Sequence, residues 1–248
     1  SDYNGFEVSC FVASDGTIDF GTPIGGSGAG YQYSIDGGST GYSLNPSYTN
    51  LQAGTYALSV QDGAGCKKDT TVILISPLEF VISPVVTTSI HNGSEVSCNG
   101  ISDGEITVTQ SNGVNSINYG LNDGALSLAS SWDSLSAGTD TVYAEDANGC
   151  LDTAIITITP PPPLTAITDS TFEFCNHLDG MAEVLSVSGG TGSPTYLWST
   201  GSNTPQITGL DAGIYFCVIS DINGCNITET VIVADSIPFV LSFTTTPA

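Results

Sequence analysis

Three stretches of the chain close in the same way: "QDGAGC" at Gln61–Cys66, "EDANGC" at Glu145–Cys150 and "SDINGC" at Ser220–Cys225. Counting back from each terminal cysteine, the same landmarks recur. An Asp stands four residues before it (Asp62, Asp146, Asp221), and a Gly twelve before it (Gly54, Gly138, Gly213). A Leu precedes each of those glycines by three (Leu51, Leu135, Leu210), and Tyr48, Trp132 and Ile207 precede the leucines by three. Each segment also opens near a cysteine, Cys10, Cys98 or Cys175, followed by Asp15-Gly16, Asp103-Gly104 or Asp179-Gly180. Between these ends runs an aromatic stretch: "YQYSIDGG" with Tyr33, "INYGLNDG" with Tyr119, "YLWSTGS" with Trp198. A threefold repeat constrains the fold more than any local pattern, because one structural plan must serve every copy.

Within each copy the apolar pattern has period two. In "TYALSVQD", Tyr56, Leu58 and Val60 alternate with Ala57, Ser59 and Gln61, and "EITVTQ" and "TAIITIT" are rich in Thr, Val and Ile. Such runs, broken by Gly, Asn, Asp and Ser, read as short strands of a sandwich. The expectation is an all-β chain of three tandem Ig-like β-sandwich domains in an elongated rod. The boundaries are 1–76, lacking its opening strand, then 77–160 and 161–236, with 237–248 either the spare opening strand of a next repeat in a longer array or a donor strand. "PPPP" at Pro160–Pro163 donates no backbone hydrogen bonds and favours an extended spacer.

Each Asp-x-x-Gly-Cys ending reads as a hairpin turn. The Asp side chain accepts from the backbone ahead of it, and the Gly takes a left-handed conformation. If the first strand of a sandwich begins at the pole of this last hairpin, the two cysteines of each repeat meet. That predicts Cys10–Cys66, Cys98–Cys150 and Cys175–Cys225, each closing a loop of roughly 50 residues and contributing about 3–4 kcal/mol. Disulfides place the chain in an oxidising compartment. Cys217 has no counterpart; its equivalents Leu58 and Val142 are core-facing, so it reads as a buried free thiol.

Charge and composition exclude several function classes. The chain has 248 residues and carries 2 Lys+Arg against 25 Asp+Glu, a net charge of −23, with Lys67 and Lys68 side by side. A phosphate backbone or an anionic membrane needs a basic face, so neither is an expected partner. With 40% hydrophobic residues the chain folds rather than staying disordered. Of the two histidines, His91 sits in no nucleophile motif, and "CNH" at Cys175–His177 lacks further ligands for zinc. The Gly-rich Gly25–Gly30 matches Ser188–Pro194 and reads as a turn rather than a phosphate loop. Calcium is the one cofactor kept open, since extracellular sites cluster carboxylates; turn chemistry already accounts for the repeated Asp. No cofactor and no enzyme activity are expected.

"EVSCNGISDGEITV" (Glu95–Val108), "SGGTGSPTYLWSTG" (Ser188–Gly201), "LDAGIYFCVISDINGC" (Leu210–Cys225) and "YQYSIDGG" (Tyr31–Gly38) resemble the SprB-type repeats of Bacteroidetes gliding and surface adhesins. The resemblance runs over three copies and departs in the first at "CFVASDG" (Cys10–Gly16). It implies export by the type IX secretion system, a place at the outer cell surface, and filaments that contact substrata or polysaccharide. It brings no catalytic residues. "DSL" at Asp133, "DTV" at Asp140, "DTA" at Asp152 and "DSI" at Asp235 resemble Bacteroidetes O-glycosylation sites.

Two functional readings stand beside the adhesive stalk. A carbohydrate-binding module would need exposed aromatic platforms, whereas Tyr33, Tyr119, Trp132 and Trp198 sit in core phase. The other is a filament subunit. "PFVLSFT" matches the openings of the second and third repeats, "PLEFVIS" and "PLTAITD". A donor strand built on Pro238, Phe239, Val240, Leu241 and Phe243 would complete the first domain of a neighbouring copy, head to tail.

Overall fold

The computed structural model describes residues 2–174, 177–236, 242 and 244. Among them every regular element is a strand except one 3-10 turn, Ser89–His91. The first repeat contributes β1 (Gly16–Asp19), β2 (Gln32–Ser34), β3 (Ser47–Leu51), β4 (Gly54–Gln61) and β5 (Lys67–Leu74). The second contributes β6 (Val81–Val86), β7 (Ser102–Ser111), β8 (Asn118–Leu121), β9 (Ser131–Ser136), β10 (Gly138–Glu145) and β11 (Leu151–Ile158). The third contributes β12 (Thr165–Thr171), β13 (Gly180–Ser188), β14 (Thr195–Trp198), β15 (Gln206–Leu210), β16 (Gly213–Ser220) and β17 (Asn226–Val233).

The strands form six small sheets, β1-β3, β2-β4-β5, β6-β7-β9, β11-β10-β8, β12-β13-β15 and β14-β16-β17. In the third repeat, strands one, two and four make one sheet and strands three, five and six the other. That is the Ig-like arrangement of a Greek-key sandwich. Alternation along β16 explains its core: Cys217 and Ile219 point inward while Ile214 and Phe216 are exposed. Trp198, Ile207, Leu210, Val231, Val233, Ala182 and Val184 complete the same core. Burying each large side chain contributes about 1.5–3 kcal/mol.

Chain contacts group into two compact units. One comprises Ser1–Val85, Thr107–Trp132 and Asp140–Ile156; the other comprises Val86–Ile106, Asp133–Thr139 and Thr157–Ala248. The division runs through the second repeat.

Strand register fixes which loops share a pole. In the third repeat Gly180 opens β13 opposite Leu210, the last residue of β15. Gly213 opens β16 opposite Val233, and Ser220 ends it opposite Asn226. The Asp-Gly motif therefore lies at the Gly213 end of β16, and the Asp221–Cys225 hairpin at the Ser220 end. Eight residues of strand separate the ends, a rise of roughly 26 Å. The first repeat repeats this: Gly16 pairs with Leu51 and Gly54 with Leu74, while the Asp62–Cys66 hairpin caps the far end of β4. Gly16 is required by close approach, since a Cβ there would lie 2.9 Å from Leu51 O, Leu74 Cδ1 and Val8 Cγ1.

This geometry corrects the expected cysteine pairs. A disulfide needs Cα atoms about 4.4–6.8 Å apart. Cys10 lies in the turns that lead into β1, with Val8 beside Gly16, and Cys66 lies beyond the opposite end of β4. Cys10 bonds Cys150 instead, with Cα atoms 5.6 Å apart, and Cys98 bonds Cys225 at 5.5 Å. Neither Cys10–Cys66 nor Cys98–Cys150 nor Cys175–Cys225 forms. Cys66 is an exposed free thiol and Cys217 a buried one. Cys175 lies outside the described residues.

Cys217 gives a direct measure of the third-repeat core. Its side chain is 0% exposed, and burial pushes its thiol pKa up. Cys217→Val should cost under about 1.5 kcal/mol, because volume and polarity suit the site. Cys217→Ser should cost about 1–3 kcal/mol by placing a hydroxyl in an apolar core. Urea unfolding of the two variants checks the difference.

Candidate inter-repeat junction

Each Asp-x-x-Gly-Cys hairpin is built around one carboxylate. Asp146 Oδ1 accepts from the backbone N–H of Asn148 (2.9 Å) and Cys150 (3.0 Å), and Oδ2 from Val114 N–H (3.0 Å). Asp221 does the same with Asn223 (2.9 Å), Cys225 (2.9 Å) and Thr191 (2.8 Å). Asp62 does it with Ala64 (3.0 Å), Cys66 (2.8 Å) and Ser27 (2.7 Å). Gly65, Gly149 and Gly224 take φ of 87°, 81° and 85°, the left-handed region that closes the turn without a Cβ penalty. All three Asp are buried, and both carboxylate oxygens of each are spent on backbone donors.

The corner points its Asn and Cys outward, onto the opening loop of the preceding repeat. Asn148 Nδ2 donates to Tyr3 O and Ser9 O, both at 3.2 Å, and its Oδ1 accepts from Asn4 Nδ2 at 2.5 Å. Cys150 Sγ lies 3.3 Å from Ser9 O and is bonded to Cys10. With the opening loop 88 residues along and the hairpin 75 residues along, the arrangement recurs atom for atom. Asn223 Nδ2 donates to His91 O (3.0 Å) and Ser97 O (3.2 Å), and Oδ1 accepts from Asn92 Nδ2 (2.6 Å). Cys225 Sγ lies 3.1 Å from Ser97 O and is bonded to Cys98.

The receiving loops are themselves preformed. Asp15 Oδ1 accepts from Ser9 N–H at 3.0 Å and Asp103 Oδ1 from Ser97 N–H at 2.9 Å. Burial pushes both carboxyls up, but the hydrogen bonds from Ser9 and Ser97 outweigh it and hold both below the ordinary Asp value; His91 adds to the effect on Asp103. The N–H groups of Ser27 and Cys66 likewise hold Asp62 low. Asn4 and Asn92 sit at φ 57° and 52°, a conformation Asn tolerates better than most side chains. The heptapeptides "NGFEVSC" (Asn4–Cys10) and "NGSEVSC" (Asn92–Cys98) carried this signal in the sequence. Alignment on the Cys and Asp-Gly landmarks alone passed over it, and over Asn148 and Asn223.

Other sequence-predicted residues are placed as follows. Tyr33, Tyr119 and Trp198 are buried and Trp132 is half-buried. His91 is buried, with Nε2 3.0 Å from Asp103 O. No group of three or more His, Cys, Asp or Glu able to hold a metal occurs among the described residues. No helix among them is long and apolar enough to cross a membrane. Pro238, Phe239, Val240, Leu241 and Phe243, the residues expected to add a strand, lie outside the described residues.

Two measurements probe the junction. Asn148→Ala or Asn223→Ala removes an amide that serves two carbonyls, and each should cost about 1–2 kcal/mol in denaturant unfolding. Asp15, Asp62 and Asp103 are held low in the folded state, so their contribution is present above the unfolded Asp pKa of about 3.9 and is lost as pH falls through the folded values. Thermal stability should therefore vary little on their account between pH 7 and 5 and drop below about pH 4. Asp103→Asn should flatten that drop in calorimetric scans.

Residues 92–126 match the family model of the SprB repeat. They span the second repeat's opening loop, β7 and β8. No curated protein matches the chain. Among solved structures it is similar to the N-terminal eight Ig domains of Down syndrome cell adhesion molecule, at 12% identity and TM-score 0.38, covering 94% of this chain and 36% of that one. It is also similar to the insect immune protein hemolin, at 14% identity and TM-score 0.25, covering 92% and 73%. A third is Bacteroides ovatus mixed-linkage glucan utilization locus SGBP-B in complex with a mixed-linkage heptasaccharide, at 14% identity and TM-score 0.20, covering 95% and 68%. The chain thus spans about a third of the first of these. The SprB match is confined to residues 92–126.

Proposed function

We propose that the chain is a non-catalytic segment of an extracellular adhesive array, built from three tandem SprB-type repeats bounded near 76 and 160. The observation that carries this reading is the disulfide register. The opening cysteine of one repeat bonds the closing cysteine of the next, twice, across sequence separations of 140 and 127. A module selected to fold and act alone gains nothing from a bond to its neighbour; a module selected to resist separation in series does. Disulfides also fit an oxidising location outside the cytoplasm. The match at 92–126 to a surface repeat family agrees with it.

In this reading the repeats transmit load, and contact with a substratum or polysaccharide falls on exposed strand faces and loops. The repeated aromatics serve the cores instead, since Tyr33, Tyr119 and Trp198 are buried. Loops of 140 and 127 residues each correspond to about 5 kcal/mol in the chain-entropy description of disulfides.

Intact, unpermeabilised producing cells should be labelled by an antibody against this chain. Labelling that appears only after permeabilisation would sink the surface assignment. Pulled between its ends by optical tweezers, the oxidised chain should release far less length than after reduction, because the two bonded loops cannot extend. Equal extensions before and after reduction would contradict the load-bearing role.

A further inference from the structure

The junction is used twice within the chain and its acceptor half occurs a third time, at Cys66. Asp62 holds that hairpin by the same three backbone donors, and Cys66 follows at the same offset as Cys150 and Cys225. Its thiol is exposed and unbonded. Beside it lies a cleft of about 390 Å³ lined by Ile24, Tyr31, Asp62, Cys66, Lys67 and Lys68. Ile24, at the rim, is 100% exposed. At the bonded counterpart, a groove of about 400 Å³ runs beside Cys225, and there Cys98 and Asn99 of the incoming loop form part of the wall.

Two substitutions distinguish the first corner. Ala64 stands where Asn148 and Asn223 clamp the incoming loop, so the amide contacts are missing. Lys67 and Lys68, the only lysines or arginines among the 248 residues, stand where the other corners have Leu151-Asp152 and Asn226-Ile227. Every opening loop of this repeat type is acidic: Glu7 and Asp15 flank Cys10, and Glu95 and Asp103 flank Cys98. In a chain of net charge −23, two adjacent cations beside a free thiol supply complementarity to such a loop where the amide is absent.

We infer that the Cys66 corner is an acceptor site for the opening cysteine loop of another repeat of the same type, which docks against Lys67 and Lys68 and is then bonded to Cys66. In a purified sample that repeat comes from a second copy of the chain, whose Cys175 precedes Asp179-Gly180 as Cys10 and Cys98 precede their Asp-Gly pairs, without the Asn-Gly and Val-Ser of those two openings. The bond forms by thiol–disulfide exchange with a disulfide donor such as oxidised glutathione. One thiolate attacks the donor and releases one glutathione thiolate; the second cysteine thiolate attacks the mixed disulfide and releases the other. Two thiols thus lose two protons and two electrons, an S–S bond forms, and the donor is reduced to two thiols. The inference rests on the disulfide register, not on the adhesive reading: a chain absent from the cell surface would still cross-link.

The test uses two full-length variants. Cys175→Ser leaves Cys66 as its exposed acceptor thiol, and Cys66→Ser leaves Cys175 as the donor. Mixed in a glutathione redox buffer, they should give a one-to-one product in which non-reducing peptide mapping finds Cys66 linked to Cys175. This product should form about ten-fold or more faster than the Cys66–Cys66 dimer of Cys175→Ser alone, the advantage a docked complex provides. Lys67→Glu with Lys68→Glu should slow the cross-link at low salt roughly ten-fold more than it slows alkylation of Cys66 by neutral iodoacetamide, which reads the change in thiolate fraction alone. Three results each overturn the site: Cys66 held as its glutathione adduct, Cys66–Cys66 dimers formed as fast, or a cross-linking rate indifferent to the lysine changes.

Discussion

The junctions depend on one carboxylate each. Asp146 and Asp221 bind three backbone N–H groups apiece, with donors from both sides of the corner. Hydrogen bonds to an ionised acceptor are stronger than neutral ones, and these are buried. The result is a rigid turn whose side-chain directions are settled before any neighbour arrives. Only then can an Asn reach two carbonyls of another repeat while the Cys two positions on meets a thiol. Neutralising the carboxylate would loosen the amide clamp and the disulfide together.

The two disulfides overlap along the chain. One closes 10–150 and the other 98–225, so residues 98–150 belong to both loops. The second repeat is therefore tied to its neighbours on each side, by its opening loop to the third and by its closing hairpin to the first. Each bond lies within one of the two compact units, which accounts for a division that runs through the second repeat rather than between repeats.

Charge has a specific role as well as a general one. A net charge of −23 favours solubility over association. Acidic copies joined in series need either neutral clamps or local cations at their contacts. The bonded junctions have the first, in Asn148 and Asn223, and the Cys66 corner has the second, in Lys67 and Lys68.

Period-two runs and turn residues determined the all-β class, because a strand buried on one face must alternate. The Asp-x-x-Gly hairpins were legible for the same local reason, and so was the core place of Cys217, whose neighbours in phase are Tyr215 and Ile219. Cysteine pairing was not local. It depended on whether Cys10 precedes or follows the first strand of its sandwich. In the second repeat β6 precedes Cys98, so the opening cysteine lies in the turn at the end of that strand, a strand's length from its own repeat's closing hairpin. The order of "PLEFVIS" and Cys98 already contained this fact. Only the register of Gly16 with Leu51 and Gly54 with Leu74 turned it into a distance. Sequence specifies which residues can form a turn or face a core, since those follow from neighbours a few positions away. Which thiols meet is decided by the poles of the sandwich, because a strand of eight residues carries its two ends beyond the reach of any disulfide.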